Sequence, residues 1–412
     1  MKKTFLKQPV VYVSRDLERA IALKPQKGYF IISNSSPFAK SLQKTNPNII
    51  LVSKPELLDT HELLQQSKIK KFINSIPNRQ LVVFKNTALI EKICSENNWT
   101  LLNPSARLAA TIEEKISQLE WLSKLQKFLP PHEVTIGKNL KWKNENFIVQ
   151  FNRAHTGSGT MLMKSKNDVW KIQKKFPERP IRVTKFIEGP ALTSNNIVWG
   201  DNVLHGPIMY QITGLSPFTK NKFATIGNDW ELGNGMLSDP EWNSYKNIVE
   251  EVGSKLAKDG WRGLFGIDAI LDSKNDKIYL IEINARQPAS TTYESELQKT
   301  NTTFEAHLSA LLGLPNNKFV LTQVTAGAQI IQRVPNSPLG RLPAEVVGGR
   351  GGLAGKSLKS KIRGLISLGL NVILYTNKEP ETDLLRIQSK KGIMLANNQF
   401  NELGEKIQKI LS

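Results

Sequence analysis

The chain has 412 residues, room for two or three domains at about 150 residues each. Its 40% apolar and 22% charged content is that of a globular protein, which excludes disordered, collagenous and coiled-coil classes. Fifty-six Lys and Arg against 36 Asp and Glu leave a net charge of +20, which favours anionic partners (phosphates, nucleotides, nucleic acid or acidic membranes) and says nothing of fold. The single cysteine, Cys94, rules out an intramolecular disulfide and a cysteine-built zinc site and fits a reducing compartment. No apolar run approaches the roughly 18 residues that span a bilayer, and the start of the chain lacks the apolar stretch of about 7–15 residues that marks a signal peptide. A soluble cytoplasmic protein with no membrane partner is expected.

In chain order, Val10–Val13, Tyr29–Ile32, Asn48–Val52 and Leu81–Phe84 have strand length and β-branched or aromatic content. Arg15–Leu23 and Pro37–Lys44, lying between them, suit short helices. The alternation predicts an open, mostly parallel α/β sheet over residues 1–103, covered on both faces. No Gly-x-Gly-x-x-Gly follows the first strand, so a dinucleotide fingerprint is missing. Leu89–Asn97 reads as a helix with Cys94 packed in the core. After Asn103-Pro104-Ser105, the spacing of Leu108, Ile112, Ile116, Leu119, Leu122 and Leu125 predicts one helix over 106–127, stopped by Pro130-Pro131.

Phe147–Phe151 and Thr160–Met163 read as strands joined by a loop containing Thr156-Gly157-Ser158-Gly159. Ile181–Ile187, Ile197–Trp199, Asn202–Leu204 and Ile208–Ile212 suggest a meander, and Pro240–Lys258 a helix. Gly227-Asn228-Asp229-Trp230 reads as a polar turn, either plain or lining an acceptor site. The mixed order suggests an α+β unit over 104–324. From about residue 325 the character changes: Gly348-Gly349-Arg350-Gly351-Gly352 reads as a linker, followed by strands at Val372–Tyr375 and Leu384–Gln388 and a helix at Asn401–Leu411.

The chemistry is concentrated in Gly263–Leu271 and Tyr279–Arg286. In a strand, residues i and i+2 share a side, so Glu282 and Asn284 project together while Ile281 and Ile283 face the core. The polar turn 272–276 lets the two strands pair as a hairpin, with Asp268 beside Glu282. Two carboxylates and an amide oxygen form a hard-oxygen cluster suited to Mg²⁺. Arg286 shares their side and its fork suits a phosphate or carboxylate. The same pattern also describes an amphipathic hairpin with one wet face. The glycines of the 156–160 loop let backbone N–H groups approach phosphate closely, although such a loop is also an ordinary hairpin turn.

Gly-Ile-Asp268 followed by Glu282-Ile-Asn284-Ala-Arg286 resembles the metal-binding segment of the ATP-grasp superfamily of carboxylate–amine and carboxylate–thiol ligases. The resemblance extends over about residues 104–312. It implies a pre-ATP-grasp α/β domain (1–103), a two-lobed ATP-grasp fold (104–324, with a small lid lobe at about 110–185 and a metal-binding lobe at about 186–312) and a small C-terminal α/β cap (325–412). It further implies ATP and Mg²⁺, or Mn²⁺ in its place, as cofactors. Asp268, Glu282 and Asn284 would hold the metal, and Arg286 would act on the transition state that forms an acyl phosphate. Lys115 would contact phosphate, and Gly157, Ser158 and Gly159 would cover it. In Lys185-Phe186-Ile187 the backbone would read adenine, and Glu188 would bind the ribose. The position at which the family carries a second lysine holds Gln150, with Arg153, His155 or Lys164 near enough in sequence to compensate.

The resemblance thus implies an ATP-dependent ligase that activates a small-molecule carboxylate for attack by an amine or thiol. A nucleotide-binding or regulatory module without turnover, which Gln150 would suit, is the alternative. A nucleic-acid-binding protein is the weakest of the three, because basic residues such as Lys68 to Lys71 and Lys356 to Arg363 are dispersed and no zinc finger or RNP-type motif is present. The five histidines show no His-x-x-x-His spacing, which argues against zinc hydrolysis.

Overall fold

The computed structural model describes residues 6–152, 159–335 and 353–412. Its first sheet has five parallel strands, placed side by side in the order Ile49–Val52, Tyr29–Asn34, Val10–Val13, Gln80–Val83, Thr100–Leu101. Both faces are apolar because both are covered. Val11, Val13, Leu81 and Val83 pack on Ile69, Ile73, Ile90 and Cys94. Cys94 lies in the helix Ala88–Glu96, and burial pushes its thiol up to about 11. Val10, Tyr12, Ile31 and Val82 pack on Ala39 and on Phe304, Leu308 and Leu311. Those last three belong to the helix Thr303–Leu311, so the far half of the chain completes the core of the first sheet. Pro37–Gln43 forms a helix because Ser36 accepts from the Ala39 N–H and Pro37 suits the first turn. Of the segment 15–23, only Leu17–Ala20 is helical, as a single 3-10 turn.

The expected single helix over 106–127 is broken into Ala106–Glu113, Ser117–Leu122 and a 3-10 turn at Ser123–Phe128. The apolar spacing runs through the break, but the backbone does not. The Lys115 N–H donates to the Asn152 carbonyl (3.1 Å) and the Ile116 N–H to the Asn152 side-chain oxygen (2.8 Å). A tertiary clamp therefore wins over helix continuation.

A four-stranded antiparallel sheet follows, ordered His132–Ile136, Pro180–Lys185, Phe147–Phe151, Thr160–Met163. Helix Lys166–Lys175 packs against it through Val169 and Ile172. Met394–Leu395 pairs with Gln399–Phe400 in a separate two-stranded sheet, and a nine-stranded sheet follows, with Asn202–Leu204 paired to Ala191–Trp199 off its main path. Ile278–Asn284 lies at one edge beside Gly263–Leu271, and Ala191–Trp199, Ile208–Thr213 and Thr225–Asp229 follow. Ala328–Arg333, Asp383–Ser389 and Asn371–Leu374 extend it from the C-terminal segment. The tail thus adds strands to the sheet that carries the hairpin, and its Leu365, Leu385 and Ile407 share an apolar cluster with Tyr210, Ile212, Phe218 and Ile226.

Two segments depart from the expected reading. Ala191–Trp199 is strand throughout, although Thr193, Ser194, Asn195 and Asn196 are polar and buried. Asn195 donates to Ser290 and Glu294, Tyr245 donates to Ser194, and Asn196 accepts from the Gly206 N–H, so the polar groups are satisfied inside the core. Gly227-Asn228-Asp229 is not an exposed turn but the end of the strand Thr225–Asp229. It leads into helix Trp230–Asn234, with Asp229 and Trp230 fully buried. The glycine stretch 348–352 lies outside the described residues. Among the described residues, no helix is long and apolar enough to cross a membrane.

His307 bears a testable consequence. It is buried, its Nδ1 accepts from the Leu264 N–H at 3.0 Å, and burial pushes its imidazole down to about 3. The unfolded chain takes the proton first, so this stabilisation is complete above the ordinary imidazole value and is lost as pH falls. Urea unfolding between about pH 7.5 and pH 5 should show wild type losing up to roughly 1.4 kcal/mol per pH unit relative to His307→Gln below about pH 6.5. Parallel curves for the two proteins would contradict it.

Candidate functional site

The hairpin brings Asp268 and Glu282 directly opposite each other, with Asn284 opposite Gly266. The register slips between Asp268 and Ala269, so that Ile281 is an extra residue in its strand. This bulge corrects the expected facing. Leu280 and Ile283 enter the core, whereas Ile281 is only half-buried. Gly266 leaves room for Asn284: a Cβ there would sit 3.1 Å from the Asn284 Cβ.

The carboxylates are held from several sides. Asp268 accepts from Thr193 Oγ1 (2.6 Å) and Asn284 Nδ2 (3.2 Å). Burial, then the neighbouring Glu282 charge, pushes its carboxyl up to about 6. Lys115 Nζ lies 2.8 Å from Glu282 Oε1. Burial pushes Glu282 upward as well, but the Lys115 ammonium and its hydrogen bond, with Arg286 beyond, bring it below the usual carboxylate range. The break between the first two helices is what places Lys115 here, buried and aimed at the hairpin.

Arg286 is anchored by Glu113 at the end of helix Ala106–Glu113, and Glu113 also pairs with Lys85. Burial opposes ionisation of Glu113, yet Arg286 and Lys85 on either side hold it ionised, below its ordinary value. This chain of charges connects the hairpin to a cavity of about 260 Å³ over the first sheet. That cavity opens at the carboxyl ends of Val10–Val13 and Gln80–Val83, where the strand order reverses. Arg15, Arg19, His61 and Lys85 line it together with the carboxylates Asp16 and Asp59. Arg15 is paired with Asp59, while Arg19 stacks 4.7 Å over Phe84 and its buried Nη1 has no hydrogen-bond partner among the described residues.

Gln150 is buried, and its Oε1 accepts two hydrogen bonds from Arg182, at 2.9 Å from Nε and 2.6 Å from Nη2. Arg182 sits directly across from Gln150 in the neighbouring strand. Sequence reading missed this pairing, which the register between the two strands creates. Of the expected compensators, Lys164 is exposed, and Arg153 and His155 lie outside the described residues, as do Gly157 and Ser158. Gly159 is described, and its carbonyl accepts from the Phe151 N–H at 3.1 Å.

The segment Lys185-Phe186-Ile187-Glu188 leaves the end of strand Pro180–Lys185 and crosses to the large sheet. The Lys185 N–H donates to Pro131, and the Glu188 carbonyl accepts from Ser273. Ile187 is buried, while the Lys185 and Glu188 side chains are exposed. At Gly189 a Cβ would fall 1.8 Å from the Leu271 carbonyl oxygen, so only glycine lets the crossing lie this close.

Asn152 Oδ1 is the acceptor that fixes the Ile116 N–H, and its Nδ2 donates to Glu114 at 2.9 Å. Asn152→Ala leaves that N–H without its acceptor and should lower stability by about 1–3 kcal/mol in urea unfolding. A change below about 0.5 kcal/mol would place the variant among neutral surface substitutions and remove the clamp from the account.

Residues 112–290 match a family model described as an ATP-grasp domain. The chain is 24% identical over 322 residues to a formate-dependent phosphoribosylglycinamide formyltransferase from Prochlorococcus marinus (strain NATL2A), an alignment covering 76% of this chain and 72% of that protein. Its fold is similar to that of a carboxyaminoimidazole ribonucleotide synthase from Aspergillus clavatus, crystallised with ATP, at 16% identity and a TM-score of 0.65 over 98% of this chain and 97% of that one. It is similar also to an L-amino acid ligase from Bacillus licheniformis, at 14% identity and a TM-score of 0.62 over 98% and 96% of the two chains.

Proposed function

We propose that this chain, whose residues 112–290 match an ATP-grasp domain, is an ATP-dependent ligase joining a small-molecule carboxylate to an amine, or to a thiol in its place. The terminal phosphoryl group of ATP would pass to a carboxylate oxygen of the substrate, giving an acyl phosphate and ADP. The amine nitrogen would then attack the acyl carbon, and the C–O bond to phosphate would break as the amine loses its proton. The observation that carries this reading is the cluster of Lys115, Asp268, Glu282 and Arg286 at one end of the hairpin, since phosphoryl transfer depends on positioning and charge neutralisation.

The donor set fits a hard divalent cation. Asp268 and Glu282 are carboxylates side by side, and the rise of the Asp268 carboxyl to about 6 reflects burial and then the charge of its neighbour. Asn284 donates to Asp268 through Nδ2, which leaves its carbonyl oxygen as a third hard ligand. Mg²⁺ held by these three residues would neutralise polyphosphate oxygens and polarise the group being transferred. Lys115 would share Glu282 with the cation and turn its remaining donors to phosphate. Arg286, already fixed by Glu113, would meet the charge that develops between phosphate and carboxylate. The backbone of Lys185 to Ile187 would bind the adenine edge, and Glu188 the ribose hydroxyls.

The acceptor is assigned to the cavity over the first sheet. Arg19 offers an unused buried donor there and Lys85 reaches Glu113, which holds Arg286, so a molecule bound in the cavity would lie beside the reacting end of ATP. The basic lining suits an acceptor or acid bearing its own carboxylate or phosphate. A nucleotide-binding module without turnover drew its support from the uncharged Gln150, and the guanidinium attached to that residue weakens the case for it.

The deciding test compares wild type with Glu282→Gln by thermal shift and by phosphate release over panels of carboxylates and amines. With ATP and Mg²⁺ each near 100 times its dissociation constant, wild type should gain roughly 2.7 kcal/mol. The variant should lose the part that needs Mg²⁺, and its turnover should fall about 100-fold or more. Full turnover in Glu282→Gln would overturn the metal assignment, and ATP binding with no phosphate released from any mixture would overturn the ligase.

A further inference from the structure

We propose that Arg182 is the second polyphosphate-neutralising cation of the nucleotide site, and that it also orients Gln150 toward the bound phosphates. The inference rests on the nucleotide-site reading above and deepens it.

The first ground is charge. Arg182 is 2% exposed, yet among the described residues it forms no ion pair. Its donors all go to neutral oxygens: Gln150 Oε1, Gln118 Oε1 at 3.4 Å, and the carbonyls of Lys115 and Ile281, each at 3.4 Å. A buried cation without a counter-ion is costly, and burial pulls this guanidinium down to about 10, with Glu282 the opposing influence. Lys115, at the break between helices Ala106–Glu113 and Ser117–Leu122, already engages Glu282. Of these two buried cations Lys115 alone is paired, and Arg182 is left with neutral oxygens about it. That excess of positive charge is what a polyphosphate would balance.

The second ground is direction. Ile181 and Val183, which flank Arg182 in its strand, point into the apolar core of the four-stranded sheet together with Val149 and Phe151. Arg182 and Gln150 consequently face away from that core, toward the hairpin. There the Ile281 bulge presents its carbonyl to the guanidinium. The cation spans the space between the two sheets.

The third ground is the amide. Because Arg182 occupies Gln150 Oε1 twice, the Gln150 NH₂ must turn the other way, and it points to Thr160 Oγ1 at 3.4 Å. Thr160 begins the strand on the far side of the glycine-containing loop. A glutamine fixed in this way turns its N–H donors to the Thr160 side while the charge stands behind it. Arg182 is thus a charge-bearing and positioning residue, and a purely structural arginine would leave phosphate selectivity untouched.

The experiment is calorimetric titration of the full-length protein with Mg-ATP, Mg-ADP and adenosine. It compares wild type, Arg182→Gln, Arg182→Lys and the double variant Gln150→Lys/Arg182→Gln, each checked for folding by circular dichroism. Arg182→Gln should weaken ATP and ADP by roughly 10- to 100-fold, the scale of one charge about 6–12 Å away at an effective dielectric near 20, and change adenosine by less than about 3-fold. Arg182→Lys, which keeps a cation, should retain most of the preference for ATP over adenosine. The double variant, which moves the charge onto the neighbouring strand, should recover it. Equal weakening of all three ligands, unchanged ATP affinity in folded Arg182→Gln, or a folded double variant without recovery would each overturn the inference. Should Arg182→Gln not fold, Arg182→Lys and the double variant decide by the same criterion. Wild type that binds no nucleotide would instead remove the nucleotide site itself, and the inference with it.

Discussion

The contact on which the rest of the structure depends is the ion pair between Lys115 and Glu282. It joins residues from opposite sides of the site at 2.8 Å, with the ammonium buried. Burying such a pair is not a route to stability, because the desolvation of both ions offsets most of their attraction. Three local irregularities are accepted to make it. A helix is interrupted at Glu114–Ile116, an asparagine side chain replaces the lost helical acceptor, and the hairpin strand bulges at Ile281. Each goes against the regular hydrogen-bond pattern of its element, and all three bring donors and acceptors to the same few ångströms. Clustering of irregular backbone at one place is the mark of a site whose geometry is set by what it binds.

The same logic links the sheets. The first sheet is not closed by its own helices, since Phe304, Leu308 and Leu311 complete one of its faces. Its strand ends are therefore held in register with the hairpin, and Lys85, Glu113 and Arg286 run as a line of alternating charge between them. On the other side, Arg386 is fully buried and pairs with Glu18 at 3.2 Å and with Asp383 at 3.2 Å, tying the first sheet to the C-terminal strands. Motion of the first sheet relative to the hairpin would expose these charges without partners. The four-stranded sheet reaches the rest of the molecule through the Lys185 to Gly189 crossing, the Asn152 clamp on Lys115 and Ile116, and the polar contacts of Arg182.

How much of this could be read in the sequence follows from the range of the interactions. The pairing of Asp268 with Glu282 was legible, because two apolar strands joined by a short polar turn leave one register that buries both. The parallel sheet was legible from its alternation of strand and helix. The helix break was not, since the spacing of Leu108, Ile112, Ile116 and Leu119 continues through it and the deciding acceptor, Asn152, lies far along the chain. The buried strand from Thr193 to Asn196 was hidden for a similar reason: its polar side chains find partners at Ser290, Glu294 and Tyr245, which no local pattern announces. Arg182 was missed because its meaning comes from the register between two strands, and in sequence it is one basic residue among many.

That abundance of basic residues is itself a poor guide. Most of the charges that pair on the surface, such as Lys138 with Glu178 or Lys406 with Glu402, are exposed and contribute little beyond solubility. The chemistry turns on cations withdrawn from water, where a charge acts with far less screening and where its chemical type matters. Burial that brings a guanidinium to about 10 still leaves it protonated at neutral pH. A lysine in the same place would keep the charge with a smaller margin, because its ordinary value lies about 2 pH units lower. It would also lack the fork with which the guanidinium reaches Gln150 Oε1 twice. The identity of Arg182 is therefore a consequence of where the fold puts it.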